Sequence, residues 1–170
     1  SNIFYPSDAI STEKLMHLAA TTRGLKYIRT TRPKTQIIYN EKESFALGDF
    51  KVIKQSKEDK IVLIGSGITL HESLKAHDML KQKKINSAVI DLYCIKPLDI
   101  KRLASFIKQH GNKIVVTEDH YKEGGIGEML FDELANSNII IKHLSIKEIP
   151  HSGTMEELLD KYKISAKWIV

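Results

Sequence analysis

Cysteine occurs once in these 170 residues, at Cys94, so no disulfide can form within the chain. A reducing, cytoplasmic setting is the expectation that follows. Long apolar runs are also missing. The longest stretch without a charge or a histidine is about ten residues, Ile61 to Leu70, against the ~20 that a membrane-spanning helix needs. The charged-then-apolar opening of a signal peptide is absent. So is an initiator methionine, and a piece of a longer protein is expected. The seven histidines form no HExxH or comparable ligand spacing, which argues against a metal site. Cys94 has no His or Asn partner at a catalytic spacing, and a buried thiol is its expected fate. With 42% hydrophobic and 28% charged residues, the chain is neither disordered nor collagen-like.

The charge is mildly basic, 26 Lys and Arg against 21 Asp and Glu for a net +5, and its distribution carries more than its size. Arg23, Lys26, Arg29, Arg32 and Lys34 follow one another with no acid between them, and Lys81, Lys83 and Lys84 form a second knot. Neither has the interleaved aromatics of a single-strand binder, nor is there zinc or helix-turn-helix spacing. Nucleic acid and membrane are not expected partners.

The pattern of apolar residues divides the chain. Ile3-Phe4-Tyr5 reads as a strand stopped by Pro6. A helix follows to Thr22, with Ser7, Asp8 or Ser11 as cap, and Tyr27-Ile28 forms a second strand. Strand, helix and strand in so short a space make a parallel βαβ unit, here a truncated one. Residues 41–49 read as a linker. Beyond it, strands are expected at Phe50–Ile53, Ile61–Ile64, Ala88–Ile90, Ile114–Val116 and Ile139–Ile141. Helices are expected from Thr69, from Asp99, around Ile126–Leu134, and from Thr154 to the end. This alternation predicts an α/β fold: an open, mostly parallel (mixed) sheet of about five strands with helices on both faces.

Two segments carry candidate chemistry. Gly65-Ser66-Gly67 joins a strand to a helix, and Asp91 ends the next strand, the outline of a dinucleotide fingerprint. Leu70 stands where its third glycine belongs, so a tight turn into a helix is the simpler reading, with His71 packing nearby. Glu118-Asp119-His120 leaves a strand end and leads to Gly124-Gly125-Ile126-Gly127, which opens a helix. Strand ends and helix N-termini favour anionic ligands, although a double glycine also serves plain close packing.

Around those residues a resemblance appears. Glu118-Asp119-His120-Tyr121-Lys122-Glu123-Gly124-Gly125-Ile126-Gly127-Glu128 closely resembles the C-terminal part of animal-type transketolases. Phe4-Tyr5-Pro6-Ser7-Asp8, Ile28-Arg29-Thr30-Thr31-Arg32-Pro33, Gly65 to Glu72, Ile95 to Asp99 and Pro150-His151-Ser152-Gly153 match in the same order. The glycine motif alone is shared with E1 β subunits of 2-oxoacid dehydrogenases and with deoxyxylulose-phosphate synthase. The resemblance implies transfer of a two-carbon ketol unit between sugar phosphates. It also implies thiamine diphosphate, a divalent cation (Mg or Ca) and a homodimer in the intact enzyme. Residues 1–40 would be the tail of the pyrimidine-binding domain and 50–170 the C-terminal domain. The resemblance places no catalytic, cofactor or metal residue in this chain, so the fragment alone is expected to be inactive and to hold no cofactor. It assigns Arg32 to the substrate's terminal phosphate, with Arg29 as a weaker candidate that should face the opposite way if the strand stays regular. A non-catalytic docking or dimerisation module is the competing expectation.

Overall fold

Alternating apolar and turn residues build the expected mixed α/β architecture, and the computed structural model describes residues 1–170. The opening βαβ unit consists of β1 (Asn2–Phe4), α1 (Ala9–Thr21) and β2 (Lys26–Ile28), with β1 and β2 parallel. Of the three candidate caps, Asp8 starts α1. Its carboxylate accepts from the Ser11 amide at 2.7 Å, and the Ser11 hydroxyl accepts from the Asp8 amide at 3.0 Å, a reciprocal box that satisfies otherwise orphaned donors.

The larger unit runs β3 (Lys51–Lys54), β4 (Ile61–Gly65), α2 (Ile68–Gln82), β5 (Ser87–Asp91), β6 (Cys94–Lys96), α3 (Ile100–Gln109), β7 (Lys113–Tyr121), α4 (Ile126–Glu133), β8 (Ile140–Ile146), α5 (Met155–Lys161) and α6 (Ala166–Ile169). Five of its strands form one sheet in the order β3-β5-β4-β7-β8, parallel except for the antiparallel edge strand β3. Strand alternation sorts the core. Val62, Ile64, Ala88, Ile90, Ile114 and Val116 point to one face, under Leu103 and Ile107 of α3 and Leu130 of α4. Leu63, Val89 and Val115 point to the other, under Leu70, Ala76 and Leu80 of α2 and Ile169 of α6. Both faces are covered, as a parallel sheet requires.

Three features differ from the sequence expectation. Strand β6 was not anticipated. It leaves the main sheet and pairs antiparallel with β1, so the small sheet runs β2-β1-β6. The third strand of the opening unit thus comes from the larger one. The expected strand at Ile114–Val116 extends to Tyr121, and the last strand continues from Ile140 to Ile146. The final helical stretch is split into α5 and α6, because Lys163 adopts the left-handed region at φ 58° and a helix cannot continue through it.

Residues 34–49 cross between the two sheets and are held by carboxylates. Asp8 Oδ2 accepts from the amides of Ile38 and Tyr39 at 2.7 and 2.9 Å. Asp91, fully buried, accepts from the Ser7 hydroxyl at 3.0 Å and the Tyr39 phenol at 2.6 Å. No cation compensates it. Burial pushes its carboxyl up to about 7 against the opposing pull of the two hydrogen bonds. A group raised on folding stabilises the fold fully below its unfolded value near 4, and this contribution fades as pH rises through about 7. Asp91→Asn, neutral throughout, should therefore gain on the wild type with rising pH. The difference in Tm between the two, measured at pH 4.5 and pH 8, should shift in favour of the variant; a difference independent of pH would contradict the assignment.

Candidate functional site

Strand order decides where a site lies. From β4 the chain steps to β5 on one side, then crosses back to β7 on the other, so the order reverses between β4 and β7. A crevice outside the carboxyl ends of the strands at such a point is the usual ligand position in open sheets. Both motifs singled out in the sequence, Gly65–Gly67 after β4 and Glu118–Gly127 around the end of β7, meet there.

Side chains of the protein itself occupy both turns. At the first, the Ser66 hydroxyl donates to the Leu92 carbonyl at 2.7 Å, and the Thr69 hydroxyl sits 2.7 Å from the Thr117 carbonyl. These side chains stitch the strand ends together. The Tyr5 ring, just beyond β1, lies where a side chain at Gly67 (φ +55°) would project. Asp91 is turned away into its clasp with Ser7 and Tyr39. The dinucleotide outline is therefore a packing turn. His71 Nε2 lies 2.7 Å from the Ser7 carbonyl; because that oxygen only accepts, Nε2 carries the proton.

At the second turn the anion on the helix N-terminus is the protein's own. Glu118, 3% exposed, accepts from the amides of Ile126 and Gly127 at 2.7 and 3.0 Å and from His143 Nε2 at 2.5 Å. The amide donors and positive end of α4 are spent on it. Side chains at Gly125 and Gly127 would strike the Glu118 carboxylate and the His143 ring, which accounts for those two glycines. Glu118, Asp119 and His120 do not leave a strand end as expected. They lie within β7 and point apart, with His120 exposed.

Asp119 forms the centre of the seam. Its Oδ2 accepts from the Tyr5 hydroxyl at 2.9 Å and from Arg29 at 2.7 Å, and its carbonyl accepts from Arg29 at 3.0 Å. The Arg29 guanidinium lies over the Tyr5 ring, 4.7 Å from its centre. Burial first of all raises the Asp119 carboxyl, opposed by Arg29 and Tyr5. Burial and then Asp119 hold the Tyr5 phenol well above its usual range. A cavity of about 420 Å³ opens on one side of this cluster, towards Tyr27, Ile95 and His120, and one of about 460 Å³ on the other.

Arg32 borders the second cavity, beside Thr30, Thr31 and Pro33. It is exposed and makes no ion pair. Arg29 borders the same cavity. The condition for opposite faces, a regular strand, is not met, because β2 ends at Ile28, before alternation reaches either arginine. The Arg29–Asp119 pairing was not read from the sequence; no local signal joins residues so far apart.

The family model described as the transketolase C-terminal domain matches residues 50–169. The chain belongs to the transketolase family. It is 48% identical to the mouse protein named transketolase-like protein 2, over 99% of this chain and 27% of that one. It is 45% identical to human transketolase over 96% of this chain and 26% of that one. It thus spans about a quarter of the length of these relatives. Among solved structures, one described as a split gene transketolase in an inactive β4 tetramer superimposes with a TM-score of 0.89 at 26% identity. That match covers 99% of this chain and 54% of the other.

Transketolase membership raises the question of thiamine diphosphate and its cation. The residues present do not fit them. The two turns able to cradle a diphosphate are filled by Tyr5 and Glu118, and no group of three or more His, Cys, Asp or Glu side chains converges as metal donors. A methyl group is enough to probe the first turn. Gly67→Ala must displace the Tyr5 ring and strain a positive φ, at a cost of about 1–3 kcal/mol. A thermal melt should show Tm lowered by roughly 3–10 °C; an unchanged Tm would show that Tyr5 does not seal the turn.

Proposed function

We propose that this chain is the C-terminal part of a transketolase that moves a two-carbon ketol unit between phosphorylated sugars, and that Arg32 binds the substrate's terminal phosphate. On this reading residues 1–40 end the pyrimidine-binding domain, 41–49 link, and 50–170 form the C-terminal domain. Thiamine diphosphate and a divalent cation would be held by other parts of the whole protein, which would work as a cytoplasmic homodimer.

The observation that supports this role for Arg32 is the contrast between two neighbouring arginines. Arg29 spends its charge on Asp119 and its flat face on Tyr5. Arg32, three residues on, keeps its guanidinium exposed at the mouth of a cavity and pairs with nothing. A guanidinium fork suits phosphate oxygens and gives charge-assisted, often bidentate, bonds. Lys34 adds positive charge close by and no acid lies between them, so the local field favours a dianion.

A coupled ketol-transfer assay tests both parts of the reading. The isolated 170 residues should show no turnover, as with the inactive β4 tetramer of the split gene transketolase. In the whole protein, Arg32→Ala should raise KM for phosphorylated sugars ~10–100-fold, the range for hydrogen bonds to a charged group. It should leave kcat and an unphosphorylated sugar nearly unaffected. Arg29→Ala should instead lower Tm, because it strands Asp119. Turnover by the isolated chain, or an unaltered KM in Arg32→Ala, would defeat the proposal. A stable dimer of a whole protein that lacks turnover would favour the docking module.

A further inference from the structure

A second basic feature lies at β8, an edge strand of the main sheet. The outer edge strand β8 and the α5–α6 turn enclose a groove of about 500 Å³. Lys142 and Lys147 reach it from β8 and the residue following; Lys161 and Lys163 reach it from the end of α5 and the turn. All four are exposed and none forms an ion pair, whereas neighbouring Lys167 is held by Asp160 at 2.6 Å. Glu148 is the one acid in the lining, against four ammonium groups. The floor includes Ser145 and Tyr162, both buried. Lys163 is steadied over the Trp168 ring, 5.0 Å from its centre, a cation–π arrangement that fixes its position on the wall.

Four ammonium groups around one concavity repel each other, and a concave wall of low dielectric focuses their field. A multiply charged anion relieves that repulsion, with each lysine acting as a point charge on its own oxygen. The volume falls in the range of small-molecule pockets, ~300–1,000 Å³, and admits a chain of phosphates. We propose that this groove binds a polyphosphate anion, free or as the tail of a nucleotide.

Lys163 supplies a variant that should fold. Its φ of 58° is a conformation glycine adopts without strain, so Lys163→Gly removes the charge and relieves the backbone together. Lys84, at φ 61° after α2 and outside the groove, is its matched control. Calorimetric titration with tripolyphosphate and with ATP, without divalent metal and at ~0.15 M salt, should show saturable binding at the groove. Fluorescence of Trp168, the single tryptophan, should change with the same midpoint. Lys163→Gly should weaken binding about two- to fivefold, the range for one exposed charge, and Lys147→Glu, which reverses a charge, should weaken it further. Lys84→Gly and Arg32→Ala should leave it unaltered. Equal affinity for the two probes would assign recognition to the phosphates alone, and tighter ATP to a nucleotide; either supports the site. Lack of saturation, or equal weakening by Lys84→Gly or Arg32→Ala, would overturn it.

Discussion

Three buried or half-buried carboxylates hold the two sheets of this chain together. Asp8, Asp91 and Asp119 sit along the seam where the opening βαβ unit meets the carboxyl ends of the main sheet. Between them they receive the amides of Ser11, Ile38 and Tyr39, the hydroxyls of Ser7, Tyr39 and Tyr5, and the guanidinium of Arg29. Only Asp119 faces a cation. Buried carboxylates supplied with neutral donors, as at Asp91, keep part of their desolvation cost. The seam is accordingly specific in geometry and responsive to protonation. Apolar contact adds to it through Phe4, Leu15 and Tyr93, with Phe45 set edge-on against Tyr39 and Tyr93 at 5.0 and 4.8 Å.

The same seam explains why two glycine turns that look like ligand cradles are not. At a topological switch point the strand ends diverge and leave a gap, and some group must fill it. Here Tyr5 closes one turn and Glu118 the other, and His143 backs the carboxylate from β8. The glycines are needed because the fillers approach so closely. A glycine motif of this kind reports a close approach to the backbone; whether the approaching atom belongs to a ligand or to the chain is decided elsewhere in the sequence.

That distinction marks how much was legible beforehand. Elements whose burial is periodic could be read: β4, β5 and the start of β7 from unbroken apolar runs, and α3 from Ile100, Leu103, Ala104 and Ile107. The open, mostly parallel sheet with helices on both faces followed from the alternation of strands and helices. What could not be read depends on partners distant in sequence. β6 is three residues long and exists as a strand because β1 is there to pair with it. The break between α5 and α6 falls at a lysine, a residue with no turn signature, held at positive φ. Arg32 was set above Arg29 by the family resemblance alone, because Asp119, which pairs with Arg29, lies some ninety positions further on.

That pairing bears on how a positive cluster becomes selective. Five basic residues between Arg23 and Lys34 would, if all free, attract any anion without placing it. In the folded chain Lys26 turns back on the carbonyls of Thr22 and Gly24 at 2.6 and 2.9 Å, and Arg29 is neutralised by Asp119. Arg32 is left as the guanidinium free to act at the cavity mouth, with Lys34 contributing field. The fixed pair also does structural work. Arg29 packs over Tyr5 and bonds to both the side chain and the carbonyl of Asp119, anchoring the backbone three residues before Arg32. In the phosphate-binding role proposed for Arg32, a rigid base would leave less ordering to be done when the anion arrives. On that proposal, neutralising Arg29 would serve Arg32 twice: it removes a competing cation and anchors the start of the loop from which Arg32 projects.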